Sequence, residues 1–445
     1  MGTVYGFGGR LAGVLMGFAD LLATAQASVS NVEYNERYDG TRQLTQIGVS
    51  IPPRVRSLEM VVNWPRLVVD TMAEALAVDG FEGADMPDEH IEAVWRVWQS
   101  TNMKSRSHLA HVEAMTQGAA YALVGVTEQG SVKTDVLPKD GIAVVYGPDG
   151  QPSEAVVSFE ADTEQGTRVK RAAYYLPDSI EVFQEAYGTW VSVSKQRGCG
   201  LVPIIPIVNK TRLGDTVGRS DMDLVIPYGD AASRSFTLLQ LATELLSLPQ
   251  RYIIGGDWSK FKKGNGEQPT AEEIYLGTLM VSPDKNSKYG QLEGARLDQV
   301  IAVLKHCAEM VSAMTGLPVS MLGVTTNNPS SAEAMRAAKD RMISRGEFKQ
   351  DVFGDSWEQW ARVVLAILGM SLEGSETLNA VWRDVATPSN SAKSAYLLQA
   401  HAQGVISART ARDGLPLTPE QRARENKTID ESEALGLAGR QLVEA

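Results

Sequence analysis

The chain has 445 residues, of which 43% are hydrophobic and 22% charged, enough for two or three folding units and a large core. It carries 42 lysines and arginines against 54 aspartates and glutamates, a net charge of -12. Proteins that clamp nucleic-acid phosphates show a basic face, so this balance argues against static DNA binding. Two distant cysteines, Cys199 and Cys307, give neither a disulfide framework nor metal-type spacing.

The N-terminal run LAGVLMGFADLLATA after Arg10 imitates a signal peptide, but Asp20 interrupts it and it is too short to span a bilayer. It reads as an amphipathic helix with Leu11, Leu15, Phe18 and Leu22 on one face. Without secretion, the sequons at Asn209 and Asn426 carry no meaning, and both cysteines read as small core hydrophobes in a reducing cytoplasm. GFGG at residues 6–9 lacks the third glycine and preceding strand of a dinucleotide fingerprint and reads as a flexible terminus.

To about residue 110 the pattern is mostly helical. Val68, Met72, Leu76 and Phe81 fall near one helix face, and Ile91, Val94, Trp95 and Trp98 on another. Eight carboxylates against one arginine between Asp70 and Gln99 read as a solvated acidic face. From Ala119 to Val208 short β-rich runs take over: AYALVGV, IAVVYG, EAVVSFEA, KRAAYYL, SIEVFQEA, TWVSVSK and VPIIPIVN. They predict a mainly antiparallel sheet region inserted in a helical protein.

Helices return at Asp221, where Asp221 and Asp223 are placed to cap, and Pro249 ends the run. Leu238, Leu239, Leu241, Leu245 and Leu246 cover well over half of this helix, more than a monomer's single buried stripe. Such a helix needs neighbours on both sides. A compact segment over 251–294 has strand-like RYIIGG and TLMVS around a basic loop with Lys260, Lys262 and Lys263. A second helix spaces Leu297, Val300, Leu304, Ala308, Val311 and Thr315 and closes at Gly316 and Pro318.

Residues 323–340, GVTTNNPSSAEAMRAAKD, join a polar hook to a strong helix start, with Asn328-Pro329 fixing the turn and Ser330 and Glu333 fitting a capping box. The helix holds one face through Ala338, Met342, Gly346, Lys349, Phe353, Trp357, Trp360, Val364 and Ile367. Gly346 and Lys349 interrupt its apolar character, which predicts a kink or local unwinding at SRGEFK. The tail reads as two or three short helices broken at Gly404 and Gly414. The predicted fold class is α+β, mainly helical.

Catalytic constellations are sparse. No P-loop and no Gly-x-Ser-x-Gly occur. His108 and His111, three apart on a helix, could share a metal with Glu113 or another carboxylate and so define a metal-dependent cytoplasmic enzyme; exposed or capped helix histidines are the structural alternative. Asp221 and Asp223 could hold Mg²⁺, but the same residues suit a helix start.

Several stretches in a fixed order carry a family resemblance: YNERYDG at 34–40, NWPRLVVDTMAEALAVDGF at 63–81, LPQRYIIGG at 248–256, TGLPVSMLG at 315–323, and NNPSSAEAMRAAKDRMISRGEFKQDVFGDSW at 327–357. From about Val32 to the final helices the chain resembles bacteriophage portal proteins (head-to-tail connectors), in particular those of long-tailed phages infecting Gram-positive hosts. The resemblance implies a non-enzymatic, cofactor-free ring of twelve subunits, assembled in the host cytoplasm and placed at the portal vertex of the virion's capsid. Double-stranded DNA would pass through it without sequence specificity during packaging and ejection. The implied partners are further copies of the chain, the major capsid protein, a scaffolding protein, the terminase large subunit and a head-tail connector or adaptor, with no membrane.

By position, the resemblance assigns 1–220 to a wing with its β-rich part at 119–208, 221–248 to a first stem helix, 249–295 to a clip, and 296–316 to a second stem helix. Residues 317–387 would return to the wing, with a tunnel loop at 323–330 and a kinked tunnel helix at 330–369, and 388–445 would form a crown. Thr325, Thr326, Asn327 and Asn328 would then hang into the DNA channel, Gly346 would mark the kink, and Lys260, Lys262 and Lys263 could meet terminase or adaptor. Independent physics agrees: a closed ring buries a two-flanked apolar helix, and an acidic conduit avoids the lysine and arginine contacts that resist sliding. Short uncharged polar side chains suit transient, water-mediated contact with any sequence. On composition alone the hook reads as an ordinary surface turn, and the three lysines as a solvated loop.

Overall fold

The computed structural model describes residues 17–44, 59–148, 150–162, 168–213, 217–246, 251–254, 267, 288–291, 297–324, 332–386 and 390–415. Leu11, Leu15, Lys260, Lys262, Lys263, Asn426 and Thr325 to Asn328 lie outside them. The chain divides into two compact units, Met1–Trp382 and Arg383–Ala445.

In the first unit, α1 (Phe18–Ala27) buries Leu21, Leu22 and Ala25 against Ala143, Val156 and Ala172 of a five-stranded sheet. Helix α2 (Val32–Asp39) starts where Asn31 Oδ1 accepts from the Glu33 amide, 3.0 Å, and stops at Gly40 with φ 72°. Asn63 caps α3 (Trp64–Ala75), with Pro65 in its first turn. Strand β1 (Val78–Gly83) follows, then α4 (Asp88–Ser100), led by two carboxylates that suit the helix dipole, and α5 (Met103–Gln117).

The helix expected to run from residue 63 to Phe81 therefore stops at Ala75. Leu76 turns extended, at φ -100° and ψ 92°, and Phe81 lies on β1, which pairs antiparallel with a strand far along the chain, β12 (Leu378–Trp382). Tertiary pairing overrides the helical spacing.

The β region holds β2 (Ala119–Val126), β3 (Val132–Pro138), β4 (Ile142–Tyr146), β5 (Pro152–Asp162), β6 (Arg168–Tyr175), β7 (Ser179–Ala186), β8 (Thr189–Arg197) and β9 (Ile204–Val208). Every pairing is antiparallel, as the sequence predicts; β3-β2-β9 make one sheet and β4 to β8 a meander. Tyr187 (φ 52°) and Gly188 (φ 78°) form the two-residue turn between β7 and β8, where both positions need positive φ. Cys199 follows β8 half-buried, its Sγ 3.3 Å from the Leu201 carbonyl, so it is not the core residue expected; Cys307 is buried.

A short 3-10 turn, Asp221–Leu224, precedes α6 (Ile226–Leu246), which lies beside α7 (Asp298–Thr315). Ser220, not an aspartate, supplies the cap: its hydroxyl accepts from the Met222 amide at 3.2 Å. Asp221 is drawn away by a buried cation, and Asp223 by Tyr34. Strands β10 (Arg251–Ile254) and β11 (Lys288–Gln291) pair between the two helices in sequence. Helix α8 (Ala332–Ile367) is continuous through Gly346, so the local unwinding expected at SRGEFK does not occur.

The main core forms where the second half of α8 meets the helices and sheet of the N-terminal region. Phe353, Trp357, Trp360 and Val364 are fully buried beside Phe81, Trp98, Met103, Met115, Val124 and Ile205. Trp98 stands edge-on to Trp357 at 5.4 Å and 89° and to Trp360 at 5.2 Å and 83°. In the second unit, α9 (Asn390–Ala402) and α10 (Ala408–Asp413) flank Gly404, φ 73°, one of the predicted breaks.

Candidate nucleic-acid conduit

The hook itself lies outside the described residues, but both of its attachments are described. On one side, Gly316 (φ 79°) ends α7 and a 3-10 turn, Val319–Leu322, leads to Gly323 and Val324. Leu317 and Leu322 anchor this turn in a cluster with Trp64, Val68, Val225, Ala232, Cys307, Ala308 and Val311. The Ser312 hydroxyl donates to the Leu317 carbonyl at 2.6 Å. The other attachment is α8.

The described part of the first half of α8 is attached by charged side chains around a single apolar contact, Met342, which packs against both neighbouring clusters. Arg341 Nη1 donates to the Ala313 carbonyl, and Arg345 Nη1 to the carbonyls of Met314 (3.2 Å) and Thr315 (3.0 Å). One turn on, Lys349 is buried with Nζ 2.8 Å from Asp221 Oδ2 and 2.7 Å from Asn209 Oδ1. Asn209 Nδ2 completes the group, donating to Asp221 Oδ1 at 3.0 Å and to the Arg219 carbonyl at 2.6 Å. Burial pushes the Lys349 ammonium below its ordinary pKa, and the Asp221 carboxylate opposes that fall. A buried charge is tolerated only with such partners, which explains the cation at a position whose periodicity calls for a leucine.

The YNERYDG stretch fastens the N-terminal helices to the base of α6. Tyr34 Oη donates to Asp223 at 2.7 Å, Arg37 forks onto both oxygens of Asp230 at 2.8 and 3.3 Å, and Tyr38 donates to Asp70 at 2.5 Å. Hydrogen bonding to carboxylates and burial raise Tyr34 and Tyr38 to about 12, burial being the larger cause. Gly40 is required here, since a side chain would approach Asn63 Nδ2 to 2.9 Å. No spacing in the sequence announces these partners, because each lies on another element.

The metal reading does not survive the geometry. His111 is fully buried, its ring stacked on Phe353 at 5.0 Å and 6°, and its Nε2 accepts from Trp357 Nε1 at 2.9 Å. The lone pair a metal would need is occupied. Burial drives its pKa down to about 3, with His108 and Lys349 pushing the same way; the Leu76 carbonyl opposes weakly, without a hydrogen bond of normal geometry to Nδ1. Asp221 and Asp223 face different partners, and the described residues contain no group of three or more histidines, cysteines or carboxylates placed to hold a metal. Among them, no helix is long and apolar enough to cross a membrane.

Comparison with known proteins bears on the same question. Residues 21–434 match the family described as phage portal protein, SPP1 Gp6-like. The chain is 32% identical over 424 residues to the portal protein of Mycobacterium phage D29, covering 92% of this chain and 86% of that one. It is 31% identical over 422 residues to the portal protein of Mycobacterium phage L5, with the same coverage of 92% and 86%. A chain of the solved structure "Neck of empty GTA particle computed with C6 symmetry" overlaps 90% of this chain and all of its own at 15% identity and a TM-score of 0.46, too loose a superposition to carry an argument.

Proposed function

The chain belongs to the SPP1 Gp6-like phage portal proteins, and from that membership we propose that it forms a twelve-subunit ring at one capsid vertex of a virion. The ring is the channel for double-stranded DNA during packaging and ejection. Its neighbours are the major capsid and scaffolding proteins during assembly, the terminase large subunit during packaging and the head-tail connector afterwards. Helices α6 and α7 are the stem, residues 249–295 the clip carrying Lys260, Lys262 and Lys263 toward terminase or adaptor, and residues 388–445 the crown. The hook at Thr325 to Asn328 is the tunnel loop, and Gly346 is where the tunnel helix bends.

The observation that carries this reading is the family match over residues 21–434. Exposed apolar side chains on the stem support it: Ile301 and Val303 on α7 are 54% and 49% exposed, and Phe236 and Leu238 on α6 38% each. A lone subunit leaves that surface in water; closed head-to-tail contacts cover it on both flanks.

Electron microscopy of the purified protein with native mass spectrometry tests the ring. The expected result is about twelve subunits around a hole of roughly 20 Å or more, wide enough for a duplex. A chain that stays monomeric under conditions that reconstitute procapsids would overturn the proposal. Deleting Thr325 to Asn328 is expected to leave the ring intact while DNA packaging or retention falls; normal packaging by that variant would remove the tunnel-loop assignment.

A further inference from the structure

Three basic side chains on α8, Arg341, Arg345 and Lys349, recur at a spacing of four and so share one face of the helix. That face meets the start of α6 and the end of α7, which lie side by side. At the exit, the last carbonyls of α7 have no intrahelical donor, and α7 has no basic residue of its own in its last turn. Ser312 is served by the Gly316 amide at 2.9 Å; the next three carbonyls, Ala313, Met314 and Thr315, receive the guanidinium groups of Arg341 and Arg345. At the entrance, Asp221 opens the 3-10 turn before α6 and is held by Lys349 at 2.8 Å, with Arg345 Nη2 at 3.9 Å from the same oxygen. The backbones also touch: a methyl group on Gly316 would fall 2.8 Å from the Met342 amide nitrogen.

Beyond Lys349 the same face changes character. Phe353, Trp357, Trp360 and Val364 lie in the apolar core with Trp98 and Phe81. One continuous helix is thus fixed by two chemistries. Lys349 stands at the junction, its Nζ 5.8 Å from the centroid of the Phe353 ring, whereas Arg341 and Arg345 reach the last carbonyls of α7 and the Asp221 carboxylate.

We propose that Arg341, Arg345 and Lys349 form a latch that ties the first half of α8 to the start of α6 and the end of α7, and that this half is released from them without unfolding the core that holds the second half. The three are positioning residues, acting through the helix they hold. The latch rests on the portal reading only for what it serves, the transmission of stem displacement to the helix beside the channel; its existence is read from the folded chain with or without a ring.

Hydrogen-deuterium exchange on the full-length protein tests it, comparing the wild type with Arg341→Met/Arg345→Met and Arg341→Lys/Arg345→Lys. The methionine pair keeps an unbranched apolar stem and loses the charge and the donors. Its amides over 339–349 and 313–316 are expected to exchange about tenfold faster or more, the scale set by losing charge-assisted hydrogen bonds, while 353–367 stays as protected as in the wild type. The lysine pair, which keeps charge and a donor, is expected to restore most of the protection, a rescue that simple packing would not show. Asp221→Asn/Lys349→Met removes both buried charges together, so neither is left unpaired, and is expected to loosen 339–349 in the same pattern. Exchange rising evenly along the whole of α8, unchanged exchange in the methionine pair, or a lysine pair no better than the methionine pair would each overturn the latch. A protein that shows the pattern but never forms a ring would overturn the portal reading and leave the latch standing.

Discussion

Lys349 and His111 are both polar residues in the interior, and their opposite protonation needs explain their surroundings. Lys349 keeps a carboxylate and an amide oxygen within 2.8 Å. His111 is buried among aromatic rings and accepts one indole N–H, so it folds neutral. Its folded pKa, about 3, lies below the ordinary value of 6.5. Below pH 6.5 the unfolded chain therefore takes up a proton that the folded chain refuses. Stability from this residue is fully present above pH 6.5 and drains away as pH falls toward 3, by about 1.4 kcal/mol per pH unit. Urea midpoints of the wild type and His111→Gln at pH 7 and pH 5 check the sign: the wild type is expected to lose about 2 kcal/mol more than the variant over that interval. An equal loss in both would show that His111 takes up its proton without unfolding.

At the scale of elements, the turn at Gly316 decides how closely α7 and α8 approach. Its φ of 79° costs an alanine about 1–2 kcal/mol through backbone strain alone. Gly316→Ala also drives a methyl group to 2.8 Å from the Met342 nitrogen, whereas Gly323, at φ 83°, has open space around the same position. Gly316→Ala is expected to lower the denaturant midpoint clearly more than Gly323→Ala, and the difference measures the helix contact. Matching losses would mean that the backbones part freely. This junction was readable in advance only in part: Gly316 and Pro318 mark the end of α7, but nothing in the sequence names Met342 as the neighbour.

The same limit separates the strands that were legible from those that were not. β2 and β4 to β9 declare themselves by β-branched and aromatic residues bounded by turns. β1, with Asp79, Gly80, Glu82 and Gly83, owes its form to a partner at Leu378–Trp382, and β3 offsets its apolar positions with Lys133 and Asp135 at the surface. Periodicity reports which way a residue faces, not what it faces. That is why the apolar face of α8 was visible while the reason for Lys349 was not.

At the scale of the whole molecule, the exposed apolar residues of α6 and α7 are where the proposed ring can be tested. Ile301→Glu/Val303→Glu puts two carboxylates on the part of α7 that a neighbouring subunit would cover, without touching its buried residues Cys307, Ala308 and Val311. The variant is expected to keep its circular dichroism and fail to form rings by native mass spectrometry. Rings of unchanged size would place the subunit interface away from this part of α7.

The pairing of β1 with β12 joins Val78 to Trp382, and the aromatic side chains of α8 complete a core that begins with Phe81 and Trp98. A ribosome making this chain must therefore finish most of it before Phe81 and Trp98 meet Trp357 and Trp360. Until then the emerging polypeptide holds bare tryptophans and an unpaired strand edge, which only chaperones or crowding neighbours can cover. Its folding follows synthesis instead of keeping pace with it, so a message cut short before codon 378 yields an adhesive fragment and not a smaller working subunit.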